Sequence, residues 1–504
     1  MKKITQKLSP TIEKFLFSRW HFLIFSIYFV FRMYDANIQD APVRDFVRPL
    51  LLSVLAGLIL FFFFGLVTKR RWHAAALMTT TVLFGFYLYG AVWSVAQATK
   101  LVKQPEIFAA IWGLFFILLI RWIGWKTPAT PDRNILAGIN AMAIVLILNP
   151  AIGILVYVLS FQVPFHAQVD HAVPAHPVAS RPDIYYIILD AYTRSDVLAE
   201  EYGLDNGPFI QSLKDLGFYV AECSQSNYES TPPSLTSSLN MDYLQNMSDT
   251  FAPDQKDLMG LFKLMDDNAV QKTVSNFGYK TVNFASGFHL AEWHDADIFI
   301  APPYGPISEF ETLLMSSSYL HILDDMDILN IDELHAKPFR ARTHLVLDSL
   351  DDVVKIPGPK FVFIHLIIPH APFSFDKDGN PIPPDKVDGL TGYANQIQYI
   401  SKAILPGLKL LIEKSSSPPV IILQGDHGPY MPPNYAAQMK NLNAYYLPEG
   451  SEALYPSITP VNSFRVVFNE YFDASLPLLE DKSYYSQNHR RFDYMLMPPT
   501  CPEP

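Results

Sequence analysis

Long apolar runs occupy the first third of the chain. The runs are residues 15–31, 49–67, 74–95, 107–125 and 135–161. A helix needs about 20 predominantly apolar residues to cross roughly 30 Å of hydrocarbon, and the runs from residue 49 onward meet that length. The first run is the weakest, because Arg19 and His21 lie inside it. The pattern predicts an α-helical transmembrane domain of about five spans over residues 1–161.

Lys and Arg residues between these runs predict how the helices are oriented. With the N-terminus inside, nine of them fall in cytoplasmic segments and five fall outside. The inside set is Lys2, Lys3, Lys7, Lys14, Lys69, Arg70, Arg71, Lys126 and Arg133, and the outside set is Arg32, Arg44, Arg48, Lys100 and Lys103. Because loops rich in Lys and Arg stay in the cytoplasm, five crossings place the chain after residue 161 on the outer face.

A stretch with four prolines, residues 162–182, separates the apolar third from the rest of the chain. Three evenly spaced histidines also lie there: His166, His171 and His176. We interpret the stretch as an extended linker rather than a metal site, because its prolines favour an extended chain.

From residue 183 onward, short apolar runs alternate with helix-like stretches. The strand-like runs are residues 183–190, 280–285, 360–370 and 419–428, and helical patterns cover 196–203, 207–217 and 394–414. Continuous apolar runs are typical of strands that are buried on both faces of a parallel sheet. We predict an α/β domain over residues 183–480, with a mostly parallel sheet flanked by helices, and an exposed C-terminal tail over 481–504.

Composition narrows the class of function. Half of the residues are apolar, 17% are charged and the formal net charge is −11. An acidic chain without a basic block is not expected to bind nucleic acid. Two cysteines, Cys223 and Cys501, form neither a disulfide framework nor a zinc knuckle, and their spacing leaves open whether they pair.

Reactive side chains lie at the ends of three predicted strands. Asp190 ends the first, His365 and His370 lie in and after the third, and Asp426-His427 belong to a GDHG motif in the fourth. Ligands of open α/β sheets collect at the carboxyl ends of the strands. Because carboxylate and imidazole groups are ordinary ligands of zinc or manganese, we expect one divalent ion, Mn²⁺, Zn²⁺ or Mg²⁺, at this edge.

Hydroxyl side chains crowd around a Pro-Pro pair in residues 225–244, QSNYESTPPSLTSSLNMDYL. Thr231 is followed by Pro232, which is the pattern of an N-cap residue with proline at the first helical position. The N-terminus of a helix favours an anion, so a phosphate is expected to bind beside this hydroxyl. A metal ion that binds the same oxygen would favour its alkoxide, and Thr231 is therefore the predicted nucleophile and a metal ligand.

These motifs, in this order, resemble the alkaline phosphatase superfamily and its sulfatase-like branch. PDIYYIILDAY, STPPSLTSSL and GDHG carry the resemblance over roughly residues 183–430. Five spans before an outward-facing domain are similar to the layout of lipoteichoic acid synthases and lipid A phosphoethanolamine transferases. The resemblance implies that Asp190, Asp426 and His427 are metal ligands and that Thr231 is the nucleophile.

The resemblance also implies residues that bind substrate. It places His370, in preference to His365, where the transferases keep a histidine that contacts the phosphoryl group. Asn227 and Ser234 lie close enough to the nucleophile in sequence to help with binding.

Several positions depart from the family pattern. Sulfatases need Cys or Ser as the first residue of a C/S-x-P-x-R motif, whereas TPPSL here has Thr231 first and Leu235 in place of Arg. This difference argues against sulfate-ester hydrolysis. The synthases and transferases usually carry Glu where Asp190 stands, and residues for a second metal are not evident in the sequence, so one ion is expected.

The expected function is that of a membrane-anchored, metal-dependent phosphotransferase or phosphodiesterase. It would act on the outer face of the membrane through a covalent phospho-threonine intermediate. Its substrate would be lipid-linked or a glycan, and membrane lipid is its expected partner. Two alternatives stay open: a sulfatase-like hydrolase of phosphate or sulfate esters, and a non-catalytic surface protein with the same fold.

Overall fold

A computed structural model of the chain describes residues 16–39, 41–99, 102, 104–128, 133–162, 171–253, 258–303, 307–326, 328–448, 451–487 and 491–501. Outside these ranges lie His166 of the predicted linker and Lys2, Lys3, Lys7, Lys14, Lys100 and Lys103 of the charge pattern. The chain divides into two compact units. The first comprises residues 1–162 and 304–335, and the second comprises residues 163–303 and 336–504.

Apolar helices form most of the first unit. They are α1 His21–Ala36, α2 Val43–Val67, α3 Trp72–Tyr87, α4 Tyr89–Ala98, α5 Pro105–Lys126 and α6 Arg133–Gln162. Among the described residues, α2, α5 and α6 contain stretches long and apolar enough to cross a membrane, and α3 with α4, bent by 43°, gives a fourth if the pair is one span. The transmembrane domain is confirmed. The fifth span stays a prediction, because α1 has 16 residues.

A seven-stranded sheet lies at the centre of the second unit, in the order β2-β7-β6-β1-β5-β3-β4. Its strands are β1 Ile184–Leu189, β2 Tyr219–Val220, β3 Lys280–Phe284, β4 Ile298–Ile300, β5 Lys360–Leu366, β6 Val420–Gln424 and β7 Asn443–Tyr446. Five adjacent strands run parallel to one another: β6, β1, β5, β3 and β4. At the other edge, β7 pairs antiparallel with both β6 and β2. The predicted α/β fold with a mostly parallel sheet is confirmed.

The remaining α-helices among the described residues are α7 Ser195–Tyr202, α8 Gly207–Asp215, α9 Thr231–Asn240, α10 Leu244–Met247, α11 Met259–Asp266, α12 Ala269–Asn276, α13 Glu309–Ser317, α14 His321–Asp325, α15 Ile331–Val354, α16 Gly389–Lys414, α17 Tyr435–Met439 and α18 Pro460–Phe472. Helix α16 shows why helices of the second unit pack on the sheet. Its apolar residues recur at helical spacing, and Ile397, Ile400, Ile404, Leu408 and Leu411 are at most 2% exposed. They join the side chains of β1, β5 and β6 in one core.

Helices α13 and α14 belong to the first unit, although their sequence lies inside the predicted catalytic domain 183–480. Ser308 and Glu311 form a capping box that starts α13. Phe310 packs with Tyr34 of α1, and the Tyr319 N–H donates to the carbonyl oxygen of Phe86 at 2.8 Å. Residues 304–335 therefore interrupt the domain that we predicted over 183–480, because they pack with the apolar helices of the first unit.

The C-terminal segment differs from the predicted exposed tail. Strands β8 Ser483–Tyr485 and β9 Met495–Met497 pair antiparallel. Cys501, beyond the second strand, forms a disulfide with Cys223, so the two cysteines do pair. The segment is held in place because its backbone and side chains bond to residues more than two hundred positions earlier, such as Thr500 N–H to Gln225 Oε1 at 2.9 Å.

Part of the predicted linker is also fastened to the second unit. His171 Nε2 lies 2.7 Å from Asp242 Oδ2. The Val173 N–H donates to Thr273 Oγ1 at 2.9 Å, and its carbonyl oxygen accepts from Asn276 Nδ2 at 2.9 Å. Residues 171–173 therefore pack as part of this unit, and the tether that we predicted over 162–182 is shorter than its sequence suggests.

Candidate active site

The central strands bring acidic and imidazole groups to one edge of the sheet. Strand β1 lies between β5 and β6 and is parallel to both. Asp190 therefore follows β1 beside His365 near the end of β5, and Asp426 and His427 follow β6. The residues that we predicted from strand ends lie at one site because parallel neighbours end on the same side.

Distances within this group suit a single ion. His427 Nε2 lies 3.6 Å from Asp190 Oδ1 and 3.6 Å from Asp426 Oδ2. Thr231 Oγ1 lies 3.3 Å from His427 Nε2. Ligand bonds of about 2.1 Å in a tetrahedral arrangement separate the ligand atoms by roughly 3.4 Å. The three distances from His427 Nε2 are therefore those of atoms that can share one metal ion.

Two carboxylate oxygens of the site are buried without a hydrogen bond from any described residue: Asp190 Oδ1 and Asp426 Oδ2. Such atoms are destabilising unless a cation or a proton satisfies them. His427 Nδ1 lies 2.6 Å from the carbonyl oxygen of Gly428, so an Nδ1–H there donates and leaves Nε2 free as a ligand. The residues thus fit a divalent cation.

The charges around Asp190 favour its ionised form. Burial raises the pKa of its carboxyl, but the neighbouring imidazoles, His370 first and then His365 and His427, outweigh burial and hold that pKa well below its ordinary value. An ionised carboxylate is the form that binds a metal ion.

Helix α9 presents Thr231 to this group. Ser230 is the N-cap, with extended backbone at φ −146° and ψ 158°, and Thr231 is the first helical residue. The predicted N-cap at Thr231 is therefore one residue too late. Pro232 and Pro233 fit the first turn because an N–H is not needed there.

The anion site that we predicted at this helix N-terminus is weaker than expected. Pro232 and Pro233 have no N–H, and the Ser234 N–H already donates to the Ser230 carbonyl oxygen at 3.1 Å. Within the described first turn, only the Thr231 N–H is left to face an anion. Charge on a phosphoryl group would therefore be stabilised mainly by the metal site and by neighbouring side chains.

Asn227 and Ser234 make hydrogen bonds within the chain, and their role in substrate binding stays a prediction. Asn227 is fully buried, its Nδ2 donates to Thr459 Oγ1 and the Lys482 carbonyl oxygen, and its Oδ1 accepts from the Val461 N–H. Ser234 Oγ donates to the Asp426 carbonyl oxygen at 2.6 Å. These bonds occupy both N–H groups of the Asn227 amide and the O–H of Ser234, and Ser234 holds α9 against the GDHG loop.

The GDHG loop needs both of its glycines because other backbone approaches closely. A Cβ on Gly425 would lie 2.1 Å from the Tyr192 carbonyl oxygen, and a Cβ on Gly428 would lie 2.2 Å from that of Ala437. The Ala191 N–H donates to Asp426 Oδ1 at 2.9 Å. This bond orients the carboxylate and leaves Oδ2 for an ion.

His370 lies at the side of the group. Its ring centroid is 6.4 Å from that of His427, and its Nδ1 lies 2.8 Å from the Ala371 carbonyl oxygen. Burial lowers the pKa of His370, but the carboxylates of Asp190 and Asp426 outweigh burial and raise it. A histidine in this state can donate a proton or a hydrogen bond to a phosphoryl oxygen.

Sequence reasoning missed Glu229 and Tyr430. The Tyr430 ring lies 5.0 Å from that of His427, between ring centroids, and Tyr430 is 40% exposed, so it lies where the candidate site opens to solvent. Glu229 is buried, and burial raises the pKa of its carboxyl. Its Oε1 accepts from Ser486 Oγ at 2.8 Å. Glu229 could have been noticed as the single charge in QSNYESTPP, but Ser486 gave no signal because it lies 257 positions away.

Residues 182–466 match the family model described as Sulfatase. A comparison with curated proteins gives no match. Among solved structures, the chain is similar to the integral membrane lipooligosaccharide phosphoethanolamine transferase A of Neisseria meningitidis, at 12% identity and a TM-score of 0.44, over 90% of this chain and 95% of that one.

Two further structures resemble smaller parts of the chain. The C-terminal periplasmic domain of EcEptC from Escherichia coli has 14% identity and a TM-score of 0.41, over 63% of this chain and 94% of that one. The lipoteichoic acid synthase LtaP of Listeria monocytogenes has 12% identity and a TM-score of 0.36, over 58% and 72%. At these identities the likeness concerns the fold alone.

Proposed function

This chain belongs to the Sulfatase family, and from that premise we propose that it is a membrane-anchored, metal-dependent phosphotransferase or phosphodiesterase. One observation carries the proposal. The Thr231 hydroxyl lies 3.3 Å from His427 Nε2, which in turn lies 3.6 Å from both Asp190 and Asp426. A hydroxyl beside a buried carboxylate and imidazole group is the arrangement of a metal-activated nucleophile.

In the proposed reaction the Thr231 hydroxyl loses its proton to solvent, and its oxygen forms a new bond to phosphorus while the bond to the donor's oxygen breaks. His370 gives a proton to the departing oxygen. Water or an acceptor hydroxyl then attacks phosphorus and gives its proton to the neutral His370, while the Thr231 oxygen departs and takes up a proton from solvent, which completes the turnover. Asp190, Asp426 and His427 would hold a divalent ion. When bound, it would supply Lewis-acid stabilisation of negative charge on the oxygens of the nucleophile and the phosphoryl group.

The residues around the nucleophile support phosphate over sulfate esters. Thr231 stands where a sulfatase needs Cys or Ser, and Leu235 stands in place of Arg. Leu235 is 1% exposed and is part of the apolar interior, so it offers no charge to a sulfate group. Phosphoryl transfer is therefore the reaction that we propose, with a lipid-linked or glycan substrate.

Transfer and hydrolysis can be separated with the full chain in vesicles. The vesicles would contain phospholipid with a labelled phosphorylated head group, a glycan or lipid acceptor, and Mn²⁺ or Zn²⁺. We expect label on the acceptor, and no label transfer by the Thr231→Ala variant. Release of free head group without a labelled acceptor would support the hydrolase instead. No turnover with either metal would support the non-catalytic alternative.

We also propose that the catalytic unit lies on the outer face of the membrane. Within the first unit, α13 and the turn after it contact four helix ends: Phe310 packs on Tyr34, Glu311 pairs with Arg48, and Tyr319 bonds to the backbone oxygens of Phe86 and Ala109. These four ends therefore lie on the same side as residues 309–319, which are part of the chain after the last span.

The opposite helix ends carry most of the described basic residues of these helices. Lys69, Arg70 and Arg71 lie between α2 and α3, Lys126 ends α5 and Arg133 starts α6, whereas Arg32, Arg44 and Arg48 lie at the same ends as Tyr34. Basic loops stay in the cytoplasm, which supports an extracytoplasmic position for residues 309–319 and for the chain that follows α6. The Cys223–Cys501 disulfide agrees with this orientation, because disulfides persist in oxidising compartments.

Cysteine labelling tests the orientation. The chain has two cysteines and both are in the disulfide, so the native protein is expected not to react with a maleimide. In whole cells, a membrane-impermeant maleimide should label Glu452→Cys, which is exposed in the second unit. Arg70→Cys should be labelled only after the membrane is permeabilised. The reverse labelling pattern would place the catalytic unit in the cytoplasm.

A further inference from the structure

We propose that His365 is an additional ligand of the metal ion, rather than a residue that binds substrate. This inference rests on the proposed metal site. Sequence reasoning grouped His365 with His370 as a substrate contact, but the two histidines have different surroundings in the structure. His365 is 1% exposed and lies on β5, whereas His370 lies in the loop after that strand and is partly exposed.

The position of the His365 ring carries the proposal. Its Nε2 lies 3.2 Å from Asp190 Oδ2. Asp190, His365 and Asp426 each offer one ligand atom, and these atoms lie within 4.8 Å of one another. Asp190 is the shared member, because its Oδ1 faces His427 while its Oδ2 faces His365. Asp190 thus has an imidazole beside each of its carboxylate oxygens.

The lack of hydrogen bonds to His365 points to the same role. Within the part of the chain that the structure describes, neither ring nitrogen makes a hydrogen bond of normal geometry, and the one close contact, Nε2 to Asp190 Oδ2 at 3.2 Å, is within hydrogen-bond distance but not well aligned. A histidine that only orients Asp190 would donate an N–H along the short line between the two side chains. A fully buried imidazole without such a bond is satisfied if its lone pair binds a cation.

A second imidazole narrows the choice of ion. With His365, the group offers two imidazole nitrogens beside the oxygens of Asp190, Asp426 and Thr231. Mg²⁺ prefers oxygen ligands and keeps several waters, whereas Zn²⁺ and Mn²⁺ accept imidazole. Of the ions that we considered from sequence, the proposal therefore disfavours Mg²⁺.

Zinc X-ray absorption of the purified full chain tests the proposal, because imidazole rings scatter characteristically and can be counted. We expect two imidazoles in the native protein, one in His365→Asn, and two in the matched control His370→Asn. Zinc affinity, from chelator competition, should fall about 10- to 100-fold in His365→Asn, but affinity alone does not separate a ligand from a residue that supports one.

One imidazole in the native protein would overturn the proposal, and so would loss of an imidazole in His370→Asn but not in His365→Asn. If His365→Asn does not fold, as judged by thermal denaturation, the native count combined with the His370→Asn count still decides. The result also separates this inference from the proposed function. A native protein with one imidazole and Thr231-dependent turnover refutes only the role of His365, whereas a native protein that binds no divalent metal refutes both.

Discussion

Thr231→Ala is expected to lower kcat on a chromogenic phosphodiester by about 10⁴-fold, since the variant has no oxygen to attack phosphorus. Thr231 Oγ1 is the hydroxyl beside His427 Nε2, at 3.3 Å, and α9 holds it there from the first turn. The carboxylates of the site are untouched by this change. Turnover should be measured with saturating metal, so that a change in affinity for the ion does not enter the comparison.

Thr231→Ser is the matched control for this change. It keeps the hydroxyl and loses one methyl group, and we expect its kcat to stay within about 10-fold of the native value. Rapid acid quenching of the native enzyme followed by mass spectrometry should find phosphate or a phosphodiester on the peptide that contains Thr231. Turnover by Thr231→Ala at the native rate would show that the intermediate, and the nucleophile assigned here, are wrong.

Sequence predicted the members of the metal group because two local features were both visible in it. Apolar runs marked the buried strands, and a reactive side chain followed each run, as Asp190 follows IYYIIL. In a parallel sheet the carboxyl ends of neighbouring strands meet, so the group could be predicted without the strand order. The order itself, with β1 between β5 and β6, was not visible, because Ile184 of β1 pairs with Phe361 of β5 and Val420 of β6, which are far away in the sequence.

Contacts between residues far apart in sequence explain what could not be predicted. Asn227 lies four residues before the nucleophile and was expected to contact substrate, yet its bonds to Thr459, Val461 and Lys482 come from the far end of the chain. The C-terminal segment carried four prolines after Met497 and no strong strand pattern, but Cys501 and the pairing of β8 with β9 fix it. Contacts of this kind depend on the folded sheet and leave no local pattern.

Asp426→Asn is expected to remove the bound metal ion and to lower kcat/KM by roughly 10³-fold. Asn has nearly the same volume, and its amide oxygen can still accept the Ala191 N–H that holds Asp426 Oδ1 at 2.9 Å. The side chain would therefore keep its place while it loses the negative charge that an ion needs. Metal content is measured by atomic absorption after dialysis, and activity is measured in the same samples.

A buried carboxylate at the other end of the nucleophile helix provides the control. Asp242 is 5% exposed and bonds to His171, Tyr243 and Asn246, so Asp242→Asn also removes one buried charge. We expect it to retain the ion and most of the activity, although it lowers thermal stability. Two results would count against the metal site: Asp426→Asn with native metal content, or a metal-free Asp426→Asn that keeps native kcat/KM. The first would mean that the ion is held by other residues, and the second that turnover does not need it.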